Sequence, residues 1–377
     1  MATMAADPRP APGLRARWLR WRDRRIANPA FQRWAARFPL TRPFVRRRAT
    51  TLHDLMAGFV YSQVLASLVE LDVPARLTHG PMDAASLARA MGLNPVRAEQ
   101  LLRAATAIDV LVRERDGRYR LSQTGAALAG APGVAEMVRH HALFYADLAD
   151  PVALLRDEVP ETALSRYWSY VGTGGDGQTA ESYSNLMAAS QAMVAAETLA
   201  AYPLRAHGRL LDIGGGSGAF LAAAMMETPG LAGTLFDLPD VAPLATRRFA
   251  ELRLSDRVEV VGGSFLDDPL PRGADIASLV RVLYDHDDAT VARVLAAAYA
   301  ALPPGGTLLL SEPMSGGDRP TRAGDAYFAF YTLAMTSGRP RTVAEHTDAL
   351  HAAGFRDVRQ RPTHQSFITQ VITARRP

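Results

Sequence analysis

The stretch Asp212-Ile213-Gly214-Gly215-Gly216-Ser217-Gly218 closes an apolar run and opens a helix-like pattern. Strand, tight glycine turn and helix start bring a ligand against bare backbone. Glycine takes positive φ and has no Cβ to hold a ligand off. The spacing also fits Gly-x-Gly-x-x-Ala through Gly214, Gly216 and Ala219, so a dinucleotide turn has to be weighed. Two acids narrow the chemistry. Asp212 stands just before the glycines, where the amine of an aminoacyl group could be held. Asp237 ends the next apolar run, Gly233-Thr234-Leu235-Phe236, and suits ribose hydroxyls, which both NAD and S-adenosylmethionine (SAM) carry. A glycine turn with no ligand is the plain alternative. The strand–helix–strand setting counts against it.

The elements that must position these residues follow an alternating order after residue 209. Strands are expected at 209–213, 233–237, 258–262, 274–280, 306–312, 355–360 and 366–374, with helices between most of them. The last two strands have no helix between them, so the sheet should end in an antiparallel pair. Ahead of it, an apolar helical pattern runs from Leu52 to Leu71. A helix, a glycine turn at Gly92, a second helix from Pro95 to Ile108 and an Asp-Gly hairpin at 110–121 then make a winged helix. A DNA-binding regulator would show that pattern, but residues 96–108 are mostly Ala, Leu and Thr. A base-reading helix needs several polar side chains on its outer face. Nucleic acid is therefore not an expected partner. Residues 134–199 read as helical, broken by a glycine-rich loop at 172–177, and a domain boundary is expected between 195 and 205.

The N-terminal 13 residues are rich in Pro and Ala and read as disordered. Between Leu14 and Arg48 twelve arginines stand against one acid, Asp23, and three of the four tryptophans lie there. The net charge of +4 therefore conceals an acidic remainder of the chain. Arginines with interleaved aromatics suit an anionic membrane surface. Packing on a partner subunit is the alternative. There is no cysteine, which excludes disulfides, thiolate metal sites and a cysteine nucleophile. No metal is expected. No uninterrupted apolar run reaches about 18 residues, so no membrane span is expected, and no secretory leader is evident. All basic side chains are arginine, which we attribute to base composition of the genome.

Five motifs in order carry a resemblance: the glycine loop, Phe236-Asp237-Leu238-Pro239, Gly263-Ser264-Phe265, Arg281-Val282-Leu283-Tyr284-Asp285-His286-Asp287-Asp288, and Leu302-Pro303-Pro304-Gly305-Gly306 with Ser311-Glu312. Over about residues 50–377 the chain resembles the SAM-dependent small-molecule O-methyltransferases of the caffeate and acetylserotonin type. Within them it is most similar to the bacterial carotenoid hydroxyl methyltransferases. The resemblance implies an α/β fold: a class I, Rossmann-like methyltransferase domain at 199–377, after a mostly helical winged-helix dimerisation domain at 51–198 and a basic aromatic arm at 1–50. It implies a homodimer. It implies SAM as cofactor, with S-adenosylhomocysteine as product, held by Asp212, Gly214, Gly215, Gly216, Asp237, Leu238, Ser264, Phe265 and Arg281. The substrate expected is a large apolar molecule bearing one hydroxyl, a carotenoid first, then a bacteriochlorophyll precursor or an aromatic polyketide. Its pocket wall is expected from Phe144, Tyr145, Trp168, Tyr183, Met187, Tyr327, Phe328, Tyr331 and Met335. The location implied is the cytoplasm, with the arm at 14–48 touching the inner membrane. A nicotinamide oxidoreductase using the same glycines is the rival reading.

The chain departs from the family where the base should stand. Plant members have His-Asp-Trp; here Tyr284 holds the histidine's place and His286 the tryptophan's. Ser264 likewise replaces an aspartate that accepts a bond from adenine. A phenol with a pKa near 10 is a poor base at neutral pH, whereas imidazole near 6.5 is well matched. The expected arrangement is His286 as base, Tyr284 orienting the hydroxyl, and Glu312 in support. The family's second supporting glutamate is missing, since Pro340 stands in its place. A turn residue among acids is the plain alternative for His286.

Overall fold

A computed structural model describes residues 13–171 and 191–377. Three helices lead the chain: α1 (Leu14–Ala27), α2 (Pro29–Arg37) and α3 (Arg42–Glu70). Asn28 starts α2 by accepting from the amides of Ala30 and Phe31, with Pro29 as its first residue. α3 runs unbroken from Arg42, so the expected division at residue 50 falls inside a helix. The start of the arm, residues 1–12, lies outside the described residues.

α3 also corrects the expectation that nothing is long and apolar enough to span a membrane. It passes by length and composition, because a few polar residues interrupt its apolar run without making it polar overall. Leu52, Leu55, Met56, Phe59 and Val60 are exposed on it. Their spacing of three and four puts them on one face.

The winged helix forms as expected. It comprises α4 (Val73–Leu77), α5 (Ala84–Met91), α6 (Pro95–Ala107), the hairpin β1 (Leu111–Arg113) and β2 (Tyr119–Leu121), and α7 (Gln123–Ala129). Asp83 and Asn94 cap α5 and α6, and Gly92 between them has φ +65°. α8 (Pro132–Asp147), α9 (Pro151–Leu155) and α10 (Ala163–Val171) follow. Helical residues 191–201 form α11.

The remainder is a seven-stranded sheet: β3 (Arg209–Ile213), α12 (Ala219–Glu227), β4 (Ala232–Asp237), α13 (Ala242–Glu251), β5 (Val258–Gly262), β6 (Ile276–Val280), α14 (Asp288–Ala301), β7 (Thr307–Glu312), α15 (Ala329–Met335), α16 (Val343–Ala352), β8 (Arg356–Arg361) and β9 (Gln370–Arg375). The strand order is β5-β4-β3-β6-β7-β9-β8, with β9 antiparallel to both neighbours. β6 and β7 are buried along their whole length, which is why they read as continuous apolar runs. Val194, Ala195 and Leu199 of α11 pack in one core with Leu210, Phe220 and Leu235. α11 thus packs with the sheet.

A separate small core ties the two halves together. Phe144, Leu154 and Leu164 from the helical part meet Tyr331, Ala334 and Met335 from α15. The Thr162 hydroxyl donates to the Ala334 carbonyl at 2.5 Å across this seam.

Candidate active site

The chain adds β4 and β5 on one side of β3, then crosses to add β6 on the other. Ligands bind at such a reversal, outside the strand carboxyl ends. Here it sets the glycine loop after β3 beside Arg281 after β6. The pairing itself is polar: Asp212 and Ser278 are register partners, and Ser278 Oγ donates to Asp212 Oδ1 at 2.6 Å.

The glycine loop has its expected shape. Gly214, Gly216 and Gly218 take φ of +66°, +58° and +75°. A Cβ on Gly214 would strike Val282 at 2.9 Å, whereas Gly216 faces open space. Asp237 Oδ2 accepts from the Gly216 amide at 2.6 Å, and Oδ1 from the Leu238 amide at 2.7 Å. Burial pushes the Asp237 carboxyl up and these two amides pull it down. Leu238 is 45% exposed, an apolar surface beside the loop. Asp212 is 1% exposed, and a Cβ on Gly215 would sit 2.6 Å from its Oδ2. The carboxyl lies beneath the loop, with Oδ2 buried and without a hydrogen-bond partner among the described residues. Burial raises its pKa to about 7.

Phe265 stands across from the loop, 3.8 Å from where a Gly214 Cβ would be. Ser264 Oγ donates to Asp267 Oδ2 at 3.1 Å. Asp267, which the motif pattern does not mark, thus brings an acid beside Ser264. Arg281 takes φ +60°, and its guanidinium donates to the Ile368 carbonyl at 2.6 Å. It also lies over the Phe328 ring at 4.8 Å. Its Nε is buried without a partner.

The 3-10 turn Leu283–Asp285 separates the two residues expected to act together. Such a turn advances about 120° per residue, and His286 leaves it in extended backbone (φ −119°, ψ 154°), so the two side chains diverge. Tyr284 is buried and stands edge-on to Phe328, ring centroids 6.2 Å apart. His286 meets Phe265 instead, at 5.5 Å. Among the described residues its ring meets none of the substrate-wall rings. The structure thus sets His286 beside Phe265 and Tyr284 beside Phe328. Burial, with Asp285 beside it, holds the Tyr284 hydroxyl well above its ordinary range, while Arg281 lowers it.

Glu312 also acts differently from expectation. Its Oε1 accepts from the Val282 and Leu283 amides at 2.9 and 2.7 Å. It holds the turn rather than an imidazole. Burial raises its pKa to about 7. Arg341, unmarked in the sequence reading, holds the other side: it donates to the Leu283 and His286 carbonyls, each at 2.8 Å, and to Asp288. Arg341 stands next to Pro340 in Gly-Arg-Pro-Arg-Thr.

Of the expected pocket wall, Phe144, Tyr327, Phe328 and Tyr331 do come together. Tyr327 lies 4.9 Å from Phe328, 6.2 Å from Phe144 and 6.1 Å from Tyr331, centroid to centroid. Tyr145 borders this group through His141. Met335 belongs to the core beneath. Tyr183, Met187 and the Trp168 side chain lie outside the described residues.

Comparison with known proteins now bears on this geometry. A family profile described as an O-methyltransferase domain matches residues 145–356, and one described as an O-methyltransferase dimerisation domain matches 53–130. The chain belongs to the SAM-dependent O-methyltransferase family. It is 47% identical to demethylspheroidene O-methyltransferase of Cereibacter sphaeroides, covering 92% of each chain. It is 46% identical to the protein of that name from Rhodobacter capsulatus, over 90% of this chain and 85% of that one. Human N-acetylserotonin methyltransferase, solved with SAM, superposes with a TM-score of 0.72 at 26% identity, covering 87% and 97% of the two chains. The enzyme thus carries the family's catalytic and dimerisation domains on the fold expected from its sequence.

Proposed function

We propose that this enzyme methylates a hydroxyl, a tertiary alcohol by preference, on a carotenoid. The observation that carries this is the near-full-length similarity to two demethylspheroidene O-methyltransferases. The aromatic group around Tyr327 and Phe328 supports it, since an apolar wall with few charges suits a polyene.

The residues around the β3/β6 reversal fit SAM. Bare backbone at Gly214–Gly216 receives the aminoacyl end, and the unpartnered Arg281 Nε suits its carboxylate. Asp237 is acceptor-only when ionised and faces the ribose hydroxyls. Leu238 and Phe265 would hold the adenine, with His286 against Phe265, and Ser264 with Asp267 would offer acceptors to its amino group. When bound, SAM supplies a methyl group activated by positive sulfur. The protein's part is to hold the hydroxyl oxygen in line with that methyl and keep water out. Tyr284, fixed by Glu312 and Arg341, orients the hydroxyl and keeps its own proton.

A second copy covers the apolar face of α3 in this reading, because the dimerisation profile starts at residue 53, where that face lies. α1 remains outside such a dimer contact. Trp18 and Trp21 are 56% and 57% exposed, and Arg22 and Arg25 lie over their rings. We assign α1 and α2 to an anionic membrane surface, from which a carotenoid would be collected at the cytoplasmic side of the inner membrane.

Purified enzyme should methylate a monohydroxylated carotenoid in detergent micelles faster than a porphyrin-type or polyketide alcohol or phenol. Turnover of either of those alone would overturn the substrate assignment. Removing residues 1–40, which stops short of α3, should cut binding to anionic liposomes at least about tenfold, given roughly 1 kcal/mol per arginine near such a surface. SAM affinity should not change. Equal liposome binding by the truncated protein would remove the membrane role.

A further inference from the structure

The aromatic wall contains one polar pair that the roles above leave unused. His141 on α8 and Tyr327 in the π-helix Arg322–Phe328 are 186 residues apart in the chain, yet His141 Nε2 and Tyr327 Oη meet at 2.7 Å. Both stay partly exposed, while Phe144, Phe328 and Tyr331 around them are buried. The pair is thus the polar edge of an apolar wall. It also lies on a chain of ring contacts from the reacting centre: Tyr284 to Phe328 at 6.2 Å, Phe328 to Tyr327 at 4.9 Å, Tyr327 to His141 at 5.6 Å.

Tyr327 is held firmly. π-helical turns are rare and gather at functional positions. This one is anchored at its start by Asp325, which accepts from Ser315 Oγ at 2.5 Å, the Gly316 amide at 2.8 Å and the Thr321 amide at 2.6 Å. Burial keeps the His141 imidazole below its ordinary pKa and pushes the Tyr327 hydroxyl up to about 12. At neutral pH the imidazole is therefore neutral and the phenol protonated. If Tyr327 donates to Nε2, its oxygen lone pairs are left for a donor in the pocket. The titratable groups facing His141 are His140 and Tyr145 on its own helix and Tyr327 from the π-helix; Arg281, after β6, acts on Tyr327.

Resting on the methyl-transfer reading above, we propose that Tyr327 and His141 form the proton acceptor for the substrate hydroxyl. Tyr327 Oη takes the hydroxyl proton as its own proton passes to His141 Nε2. The carbon–oxygen bond forms as the carbon–sulfur bond breaks. The positive charge lost from sulfur reappears on the imidazolium, which then releases its proton to solvent. Tyr327 touches the substrate and is the catalytic residue; His141 acts through it as a positioning residue.

The test joins kinetics to a measurement that needs no substrate. Protonated His141 cannot accept, so kcat should fall in acid, with the limb displaced below the ordinary imidazole range. Tyr327→Phe and His141→Gln should each lower kcat by about 10²–10⁴-fold, the usual contribution of a general base. SAM affinity by calorimetry should hold, the double variant should be no worse than the worse single one, and the acid limb should vanish in His141→Gln. In enzyme without ligand, Tyr327→Phe should move the His141 titration upward by NMR, because the bond to Nε2 favours the neutral ring. An acid limb that survives His141→Gln, losses that multiply, or an acid limb removed by His286→Ala would each overturn the relay. If the wild type methylates no carotenoid alcohol, the substrate reading fails on its own. The relay is then judged by the NMR titration, and falls if Tyr327→Phe leaves it unmoved.

Discussion

Glu312→Ala is expected to lower kcat by at least about 10²-fold, while Glu312→Gln stays within about tenfold of the wild type. The carboxylate oxygen that accepts from Val282 and Leu283 fixes the turn carrying Tyr284. Misplacing a positioned group by about 1 Å can cost that much. Glutamine keeps an acceptor there, and alanine leaves two buried amides unpaired, at about 1–3 kcal/mol each. The same pair of variants reads out the buried charge. Glu312 titrates near 7 in the folded enzyme, above its ordinary value, because burial disfavours the carboxylate. The folded state therefore holds a proton that the unfolded state has lost. Its stability advantage is complete below about pH 4.5, declines as pH rises to about 7, and is absent above that. Glutamine cannot ionise, so Glu312→Gln should match the wild type at pH 5 and exceed it by roughly 3 kcal/mol at pH 8. Denaturant unfolding at the two pH values measures this. Equal stability at both pH values, or a glutamine variant as inactive as the alanine one, would show that Glu312 is not the neutral brace described here. Asp212, also near 7, adds a decline in the same window and the same direction.

Asp237→Ala should weaken SAM binding by about 10²-fold or more. The lost carboxylate removes charge-assisted bonds worth about 1.5–3 kcal/mol each. It also frees the Gly216 amide, which that carboxylate holds at 2.6 Å. Asp237→Asn should fall between, since one amide oxygen remains to accept and the nitrogen presents donors where the ribose also donates. Calorimetric titration with SAM and with S-adenosylhomocysteine gives both constants. Binding of the alanine variant within threefold of the wild type would remove Asp237 from the cofactor site.

The two predictions concern residues the sequence marked. The placing of Asp237 beside the glycine loop is legible because it is local. The residue ends a strand one strand over from the glycine loop, and that adjacency follows from the βαβ order. Glu312 is expected to support an imidazole, yet its partners are the Val282 and Leu283 amides. A carboxylate's interval along the chain does not say which donor it reaches.

Residue order alone determined the strands from Arg209 onward, the antiparallel end pair, the winged helix with its Asp-Gly hairpin, and the glycine loop. Each depends on contacts within a few residues or on burial patterns of period two or near four, which a chain displays along its length. Tertiary structure decided the rest. It turned His286 toward Phe265, because a tight turn separates it from Tyr284 by a large angle. It buried Asp212 under Gly215, because β3 is central in the sheet. It packed α11 against β3 and α12. It set Arg341 on the carbonyls of a turn more than fifty residues away, and it brought His141 to Tyr327 from different halves of the molecule. Such contacts join residues whose separation carries no period, so they exist only once the two halves have packed.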